Sequence, residues 1–201
     1  DGLYHQEWDF PPEVILSHTF FRRKPAEFYR FYQAKMLCDT AKPNAAHKKL
    51  AQLEEQEKLK AIVTQNIDNL HQMASKNVLE LHGSVYRNHC VKCRSFYDFA
   101  YMKKNKGIPR CSKCGSIIKP DVVLYEEALD QEVVNASIHA IAHADTLIIG
   151  GTSLSVYPAA SLIDYFSGKH LVVINRDKTP QDEMAELVIN RPIGEVFEQI
   201  K

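Results

Sequence analysis

The sequence lacks any apolar run near membrane-spanning length, so no transmembrane helix is expected and a membrane is not an expected partner. No charged-then-apolar segment opens it, so these residues carry no expected secretory leader. It has no excess of either charge, with 25 Lys and Arg against 25 Asp and Glu. A nucleic-acid binder usually shows a basic balance or a basic stripe, and neither stands out, so no nucleic-acid partner is expected. The short run YMKKNKG (101–107) reads as a solvated loop. Internal repeats and low-complexity tracts are absent. Cysteine is sparse at five residues, four of them in two Cys-x-x-Cys pairs. That usage points to a reducing, cytoplasmic compartment, where thiols bind metal more often than they form disulfides. Cys38 stands apart in a helical pattern and is expected as a small buried apolar residue.

What is present spans 201 residues, enough for one sizeable core and a small second module. AEFYRFYQAKM (26–36) places Phe28, Phe31, Tyr32 and Met36 on one helical face. KPNAAHKKLAQLEEQ (42–56) and QEVVNASIHAIAHAD (131–145) are also helical in pattern. TLIIGG (146–151) and HLVVIN (170–175) are continuous apolar runs, as expected of strands buried on both faces. PAASLIDYF (158–166) lies between them as a helix, which makes a βαβ unit and a parallel sheet. KAIVTQNID (60–68) is a strand with a polar carboxyl end, and ELVI (186–189) is a further short strand. From Tyr86 to Pro120 the texture turns loop-rich around the cysteines. The fold class is therefore α/β, a parallel-sheet domain interrupted by an inserted small domain.

Cys90-x-x-Cys93 is followed, after residues 94–110, by Cys111-x-x-Cys114. This spacing fits a tetrahedral four-thiolate zinc site. Each pair is a tight turn presenting two sulfurs to one ion, and Gly115 permits a sharp turn after the second. Four thiolates leave no open position for a catalytic water, so the zinc is structural, and His82 and His89 are not needed as ligands.

Ligands of open parallel sheets bind beyond the carboxyl ends of the strands. Those ends here are TQNID (64–68), GGTSLS (150–155) and NRD (175–177). Gly150 and Gly151 let backbone approach a ligand, and Thr152 and Ser153 offer donors. This is no full dinucleotide fingerprint, and a plain strand-to-helix turn accounts for it as well. Asn175 closes the next strand near where dinucleotide folds place a ribose-binding side chain. His82 follows the short extended run LEL (79–81) and precedes Gly83, between a polar strand end and the cysteine region. A lone histidine is more often structural, but an imidazole in that position can accept a proton.

The motifs TQNIDNLH (64–71), ELHGS (80–84), the paired cysteines, KPDVVLYEE (119–127), GGTSLSVYPA (150–159) and VVINRD (172–177) occur in the order found in sirtuins. The chain resembles bacterial members of that family of NAD-dependent protein-lysine deacylases. The resemblance implies a Rossmann-type part, about 43–85 and 121–201, and a small domain of a helical module (about 16–42) and a zinc module (about 86–120). It implies NAD as cofactor and acylated-lysine proteins or peptides as partners. The residue matching His82 is the general base, and that matching Asn66 orients ribose and water. Gln65, Asn66, Ile67 and Asp68 match the nicotinamide pocket, and Gly151, Thr152, Ser153, Asn175 and Arg176 match the adenosine side. Val123, Leu124, Tyr125, Glu126 and Glu127 match the segment that pairs with the substrate as a strand. Tyr29 and Tyr32 fall where sirtuins acting on acidic acyl groups carry Tyr-x-x-Arg, so an uncharged acyl group is expected. The products implied are the deacetylated lysine, nicotinamide and O-acetyl-ADP-ribose.

Three departures stand beside the resemblance. The family's Gly-Ala-Gly loop is not in these residues, so the catalytic domain is expected to be N-terminally incomplete. Glu126 and Asn69 each stand where the family commonly has glycine. The alternatives kept open are an ADP-ribosyltransferase, or a catalytically impaired zinc-stapled module that binds NAD or peptide.

Overall fold

The computed structural model describes residues 8–154 and 156–200. The helical elements come first: α1 (Pro12–Ile15), α2 (His18–Arg23), α3 (Pro25–Lys35) and α4 (Ala45–Glu55). Strands β1 (Ile62–Thr64), β2 (Val78–Glu80), β3 (Gly83–Cys90) and β4 (Phe96–Asp98) follow, then α5 (Phe99–Lys104) and β5 (Ile118–Val122). The chain closes with α6 (Gln131–Ala142), β6 (Thr146–Gly150), β7 (His170–Ile174), β8 (Leu187–Ile189) and α7 (Ile193–Glu198). Between β6 and β7, Ala159–Tyr165 winds as a 3₁₀ helix.

Two compact units divide these elements. The first gathers residues up to Ala41, Asn66–Asn69 and His82–Leu129. In it β3 lies between β4 and β5, antiparallel to both. A register shift between Ser84 and Asn88 is stabilised by buried Asn88, which donates to the Val85 and Tyr97 carbonyls, each at 3.2 Å. Ser17 caps α2 by accepting the Phe20 N–H, and Pro25 opens α3, where its missing N–H goes unused. The apolar face of α3 carries Phe28, Tyr29, Phe31 and Tyr32, all buried. Phe21, Phe28, Tyr29 and Tyr32 meet as edge-on or stacked pairs 5.1–6.1 Å apart. Each such pair contributes about 0.5–1.5 kcal/mol beyond its buried area. Cys38 falls beyond the end of α3 and is exposed, contrary to the expectation of a buried residue. The helix stops at Lys35, so the periodicity that would have turned Cys38 inward does not reach it.

The second unit holds Lys42–Gln65, Leu70–Leu81 and the residues from Asp130 on. Asn44 and His47 form a reciprocal capping box at the start of α4, and Asp130 caps α6 through the Glu132 and Val133 amides. β6, β7 and β8 form a parallel sheet in that order, and β1 pairs parallel with β2. The class is thus α/β with parallel sheets and an antiparallel cysteine-bearing module. One expectation differs in detail. Ile148 of β6 is 41 % exposed, because β6 pairs only with β7 among the described strands and only Leu147 and Ile149 turn toward the local core.

Candidate active site and metal centre

The cysteine turns are built alike. Cys90 N–H donates to the Ser95 carbonyl (2.9 Å), and Cys111 N–H to the Ser116 carbonyl (2.8 Å). Arg94 and Gly115, which follow the two pairs, both have left-handed backbone, at φ 58° and 72°. Glycine suits that conformation and arginine does not, so the first turn holds strain the second avoids. The four sulfurs lie within 4.8 Å of one another, with Cys90 to Cys114 at 3.4 Å and Cys93 to Cys111 at 3.5 Å. A tetrahedron with Zn–S near 2.3 Å sets its sulfurs ~3.8 Å apart, so the four fit one zinc with small adjustment and fill its coordination. The Tyr97 hydroxyl donates to Cys111 Sγ (3.1 Å), and the Cys93 N–H donates to Cys90 Sγ (3.4 Å). The Tyr97 bond is the main cause that holds the Cys111 thiol down to about 6. Donors of this kind favour the thiolate that a metal needs.

β1 and β2 end level, because Leu81 N–H donates to the Thr64 carbonyl (3.0 Å). The next residues of the two strands, Asn66–Asp68 and His82, belong to the first unit. There the Val85 N–H donates to the Ile67 carbonyl (3.1 Å) and ties the Asn66–Asp68 loop to β3 just after His82. His82 is half-buried, and its carbonyl accepts the Val123 N–H at 3.0 Å. Gly83 makes this possible. Its φ is 72°, and a Cβ there would lie 1.8 Å from the Asp121 carbonyl oxygen. Asn69 has φ 65°, a left-handed conformation that asparagine, unlike most residues, adopts readily.

Beyond β5 the chain makes a turn over Leu124–Glu127, closed by the Glu127 N–H on the Leu124 carbonyl (3.0 Å). Glu126 at its third position has φ 75°, the conformation for which a type II turn normally selects glycine. The Glu126 carboxylate accepts the Thr19 N–H at 2.9 Å. The Glu127 carboxylate accepts the Leu124 N–H (2.9 Å), Lys119 Nζ (3.0 Å) and His18 Nδ1 (2.8 Å). Burial raises the Glu127 carboxyl, but these three donors outweigh it and bring it below the usual range. Tyr125 exchanges backbone bonds with residues 16 and 18, its N–H to the Leu16 carbonyl (3.0 Å) and its carbonyl from the His18 N–H (2.9 Å).

Tyr29 and Tyr32 sit within the aromatic core of the same unit. Tyr29 donates its hydroxyl to the Ile118 carbonyl, and burial raises both phenols. The Tyr32 hydroxyl, wholly buried, has no hydrogen-bond partner among the described residues.

In the second unit Gly151, Thr152, Ser153, Asn175 and Arg176 line one cleft of about 680 Å³. Gly151 has φ 63°, and open space lies where its Cβ would be, so backbone rather than side chain faces the cleft. Asn175 Nδ2 donates to the Asp177 carbonyl (2.8 Å), which sets the turn that carries Arg176. Asn44, Lys178 and the α7 start at Ile193 and Gly194 also line it, together with the carboxylates of Asp177, Glu195 and Glu198. Sequence reasoning missed these; an asparagine just before an apolar-periodic run is the helix-cap signal that would have singled out Asn44. A cleft with amide, hydroxyl, guanidinium and glycine backbone groups has the donor set a nucleotide's ribose and phosphates require. Gln65 lies at the end of β1 in this unit, outside the residues that line the cleft.

Fold and site therefore define an α/β protein with a four-thiolate metal module and a nucleotide-sized cleft. The Sir2 family model matches residues 1–158. An NAD-dependent protein deacetylase of Clostridium perfringens is 59 % identical across the whole chain and 84 % of its own length. That of Clostridium acetobutylicum is 56 % identical across the whole chain and 83 % of its own. Among solved structures, a Sir2 protein with a p53 peptide and NAD⁺ superposes with TM-score 0.86 at 39 % identity, over 96 % of this chain and 84 % of that one. One bound to a propionylated peptide gives 0.87 at 40 %, over the same shares. The chain belongs to the Sir2 family.

Proposed function

We propose that the protein is an NAD-dependent protein-lysine deacetylase that releases nicotinamide and O-acetyl-ADP-ribose. The observation that carries this reading is the joint between His82 and Val123. One backbone hydrogen bond links the candidate base to the segment that matches the family's peptide-pairing strand. NAD, as co-substrate, supplies the nicotinamide leaving group and the ribose that takes up the acyl group.

The chain's own residues have separable tasks. A ring nitrogen of His82 accepts the proton of a ribose hydroxyl. Asn66 orients ribose and water, and Gln65, Ile67 and Asp68 serve the nicotinamide end. The second unit's cleft, through Gly151 to Ser153, Asn175 and Arg176, holds the adenosine end. The Val123 carbonyl receives the amide hydrogen of the acylated lysine, and Leu124 to Glu127 carry the peptide edge. Tyr29 and Tyr32, which match acyl-pocket positions, are buried in the aromatic core and would meet an acyl group only where that core opens locally. Zinc at Cys90, Cys93, Cys111 and Cys114 staples the small module and takes no part in the chemistry. The two units read as the small and Rossmann-type parts of one catalytic domain. A cytoplasmic location fits a chain whose paired cysteines serve a metal.

Mass spectrometry of the products from NAD and an acetyl-lysine peptide tests the reading. Deacetylated peptide with O-acetyl-ADP-ribose is expected. ADP-ribose attached to protein instead, or an unchanged peptide, would overturn it.

A further inference from the structure

The backbone from Val122 to Tyr125 is committed almost group by group. Lys119 Nζ donates to the Val122 carbonyl at 2.9 Å, and the Val123 N–H goes to His82. Both polar groups of Leu124 are taken by Glu127, and both of Tyr125 by residues 16 and 18. The Val123 carbonyl accepts no hydrogen bond among the described residues. One acceptor is thus left presented by an otherwise fixed segment.

What fixes the segment is Glu127, and Glu127 is itself fixed. Its Oε1 meets His18 Nδ1, while its Oε2 is shared by the Leu124 N–H and Lys119 Nζ. The contacts span the chain from α2 to the end of β5, and the Glu127 side chain is only 21 % exposed. A carboxylate so placed needs its donors, since losing one leaves a partly desolvated charge underpaired. It would then turn toward water and release the Leu124 N–H. The neighbouring peptide planes would gain freedom, and a peptide would have to order them again on binding.

We propose that His18 and Lys119 are positioning residues for the substrate peptide, acting through Glu127 to hold the Val123 carbonyl ready. This rests on the deacetylase reading and adds two side chains to which that reading gives no role. Neither touches the reacting atoms, so their effect falls on peptide binding and not on the chemical step.

The test is steady-state kinetics with an acetyl-lysine peptide and NAD, varied separately. Wild-type turnover, measured first, tests the functional reading by itself; the variants then test only the two side chains. His18→Leu and Lys119→Met are expected to raise the peptide KM about tenfold, the effect of one lost charge-assisted hydrogen bond. The NAD KM and kcat at saturating peptide should stay within about twofold. His18→Asn, which keeps a donor where Nδ1 stands, and Lys119→Arg should restore most of the peptide KM. Because the His18 side chain is 43 % exposed, His18→Leu carries the test alone if Lys119→Met does not fold. A peptide KM within twofold of wild type in His18→Leu overturns the inference. So does a parallel loss in kcat and NAD KM, or failure of His18→Asn to rescue.

Discussion

Gly83→Ala is the substitution on which the candidate site's geometry depends most directly. Two effects add. The left-handed backbone at φ 72° costs an alanine about 1–2 kcal/mol. The new methyl would stand 1.8 Å from the Asp121 carbonyl oxygen, and real Cβ contacts begin near 3.0 Å. Backbone must therefore move by more than an ångström at the Gly83–Val122 pairing. The hydrogen bonds at risk are the Val123 N–H to the His82 carbonyl and a ladder bond of the adjoining Ser84–Asp121 pair, each contributing about 0.5–1.5 kcal/mol. The sum is a loss of roughly 2–5 kcal/mol, with the base and peptide segment displaced together. Gly107→Ala is the matched control. Its φ is 79°, but nothing lies within 4 Å of its Cβ, so only the backbone term of about 1–2 kcal/mol applies. Trp8, the only tryptophan, packs on Phe31 in the same unit as both glycines, so its fluorescence in a urea titration reads that unit. Equal destabilisation by the two substitutions would refute the steric argument, as would normal deacetylation by Gly83→Ala.

Three further outcomes are expected. Removing one zinc thiolate, as in Cys111→Ala, should abolish stoichiometric zinc by metal analysis and lower the thermal midpoint; retained zinc with an unchanged midpoint would refute a four-thiolate site. His82→Ala should lower kcat by about 10²–10⁴ with the fold intact by circular dichroism, and near-wild-type turnover would remove His82 from the base role. Acetyl should be preferred to succinyl peptide in kcat/KM, because position 32 carries a tyrosine where an arginine would pair a distal carboxylate. Preference for succinyl would defeat that reading, and Tyr32→Phe, which removes an unpartnered hydroxyl, should leave stability nearly unchanged.

Local chemistry was the legible part of the sequence. A pair of thiols on one ion needs only a tight turn, so Cys90–Cys93 and Cys111–Cys114 announce themselves by spacing, and the structure gathers their sulfurs. Strand ends announced themselves too, since Gly151 to Ser153 and Asn175 to Arg176 line a common cleft although separated in sequence. Non-local contacts were not legible. Glu127 meets His18 across 109 positions, and no pattern around either residue signals it. Helix ends were uncertain for a related reason. Whether Cys38 is inside depends on where α3 stops, and the stop after Lys35 has no proline or glycine to mark it.

Glu126 shows how a departure visible in sequence acquires its physical meaning from the fold. Two opposed effects meet there: a left-handed backbone that favours glycine, and a carboxylate that accepts the Thr19 N–H. Glycine would relieve the first and forfeit the second, whereas alanine would keep the strain and forfeit the bond. Denaturation midpoints are therefore expected to place Glu126→Ala below both wild type and Glu126→Gly. The Thr19 bond is also the main cause that lowers the Glu126 carboxyl below its ordinary value. A depressed folded-state value means that the carboxylate's contribution is present above the unfolded-state value and is lost as pH falls through the folded one. The gap between wild type and Glu126→Ala should accordingly narrow in acid, below the ordinary glutamate range, while the gap between the alanine and glycine variants, which is backbone strain alone, should not. Alanine and glycine variants with the same midpoint at every pH would show that the turn carries no strain at residue 126.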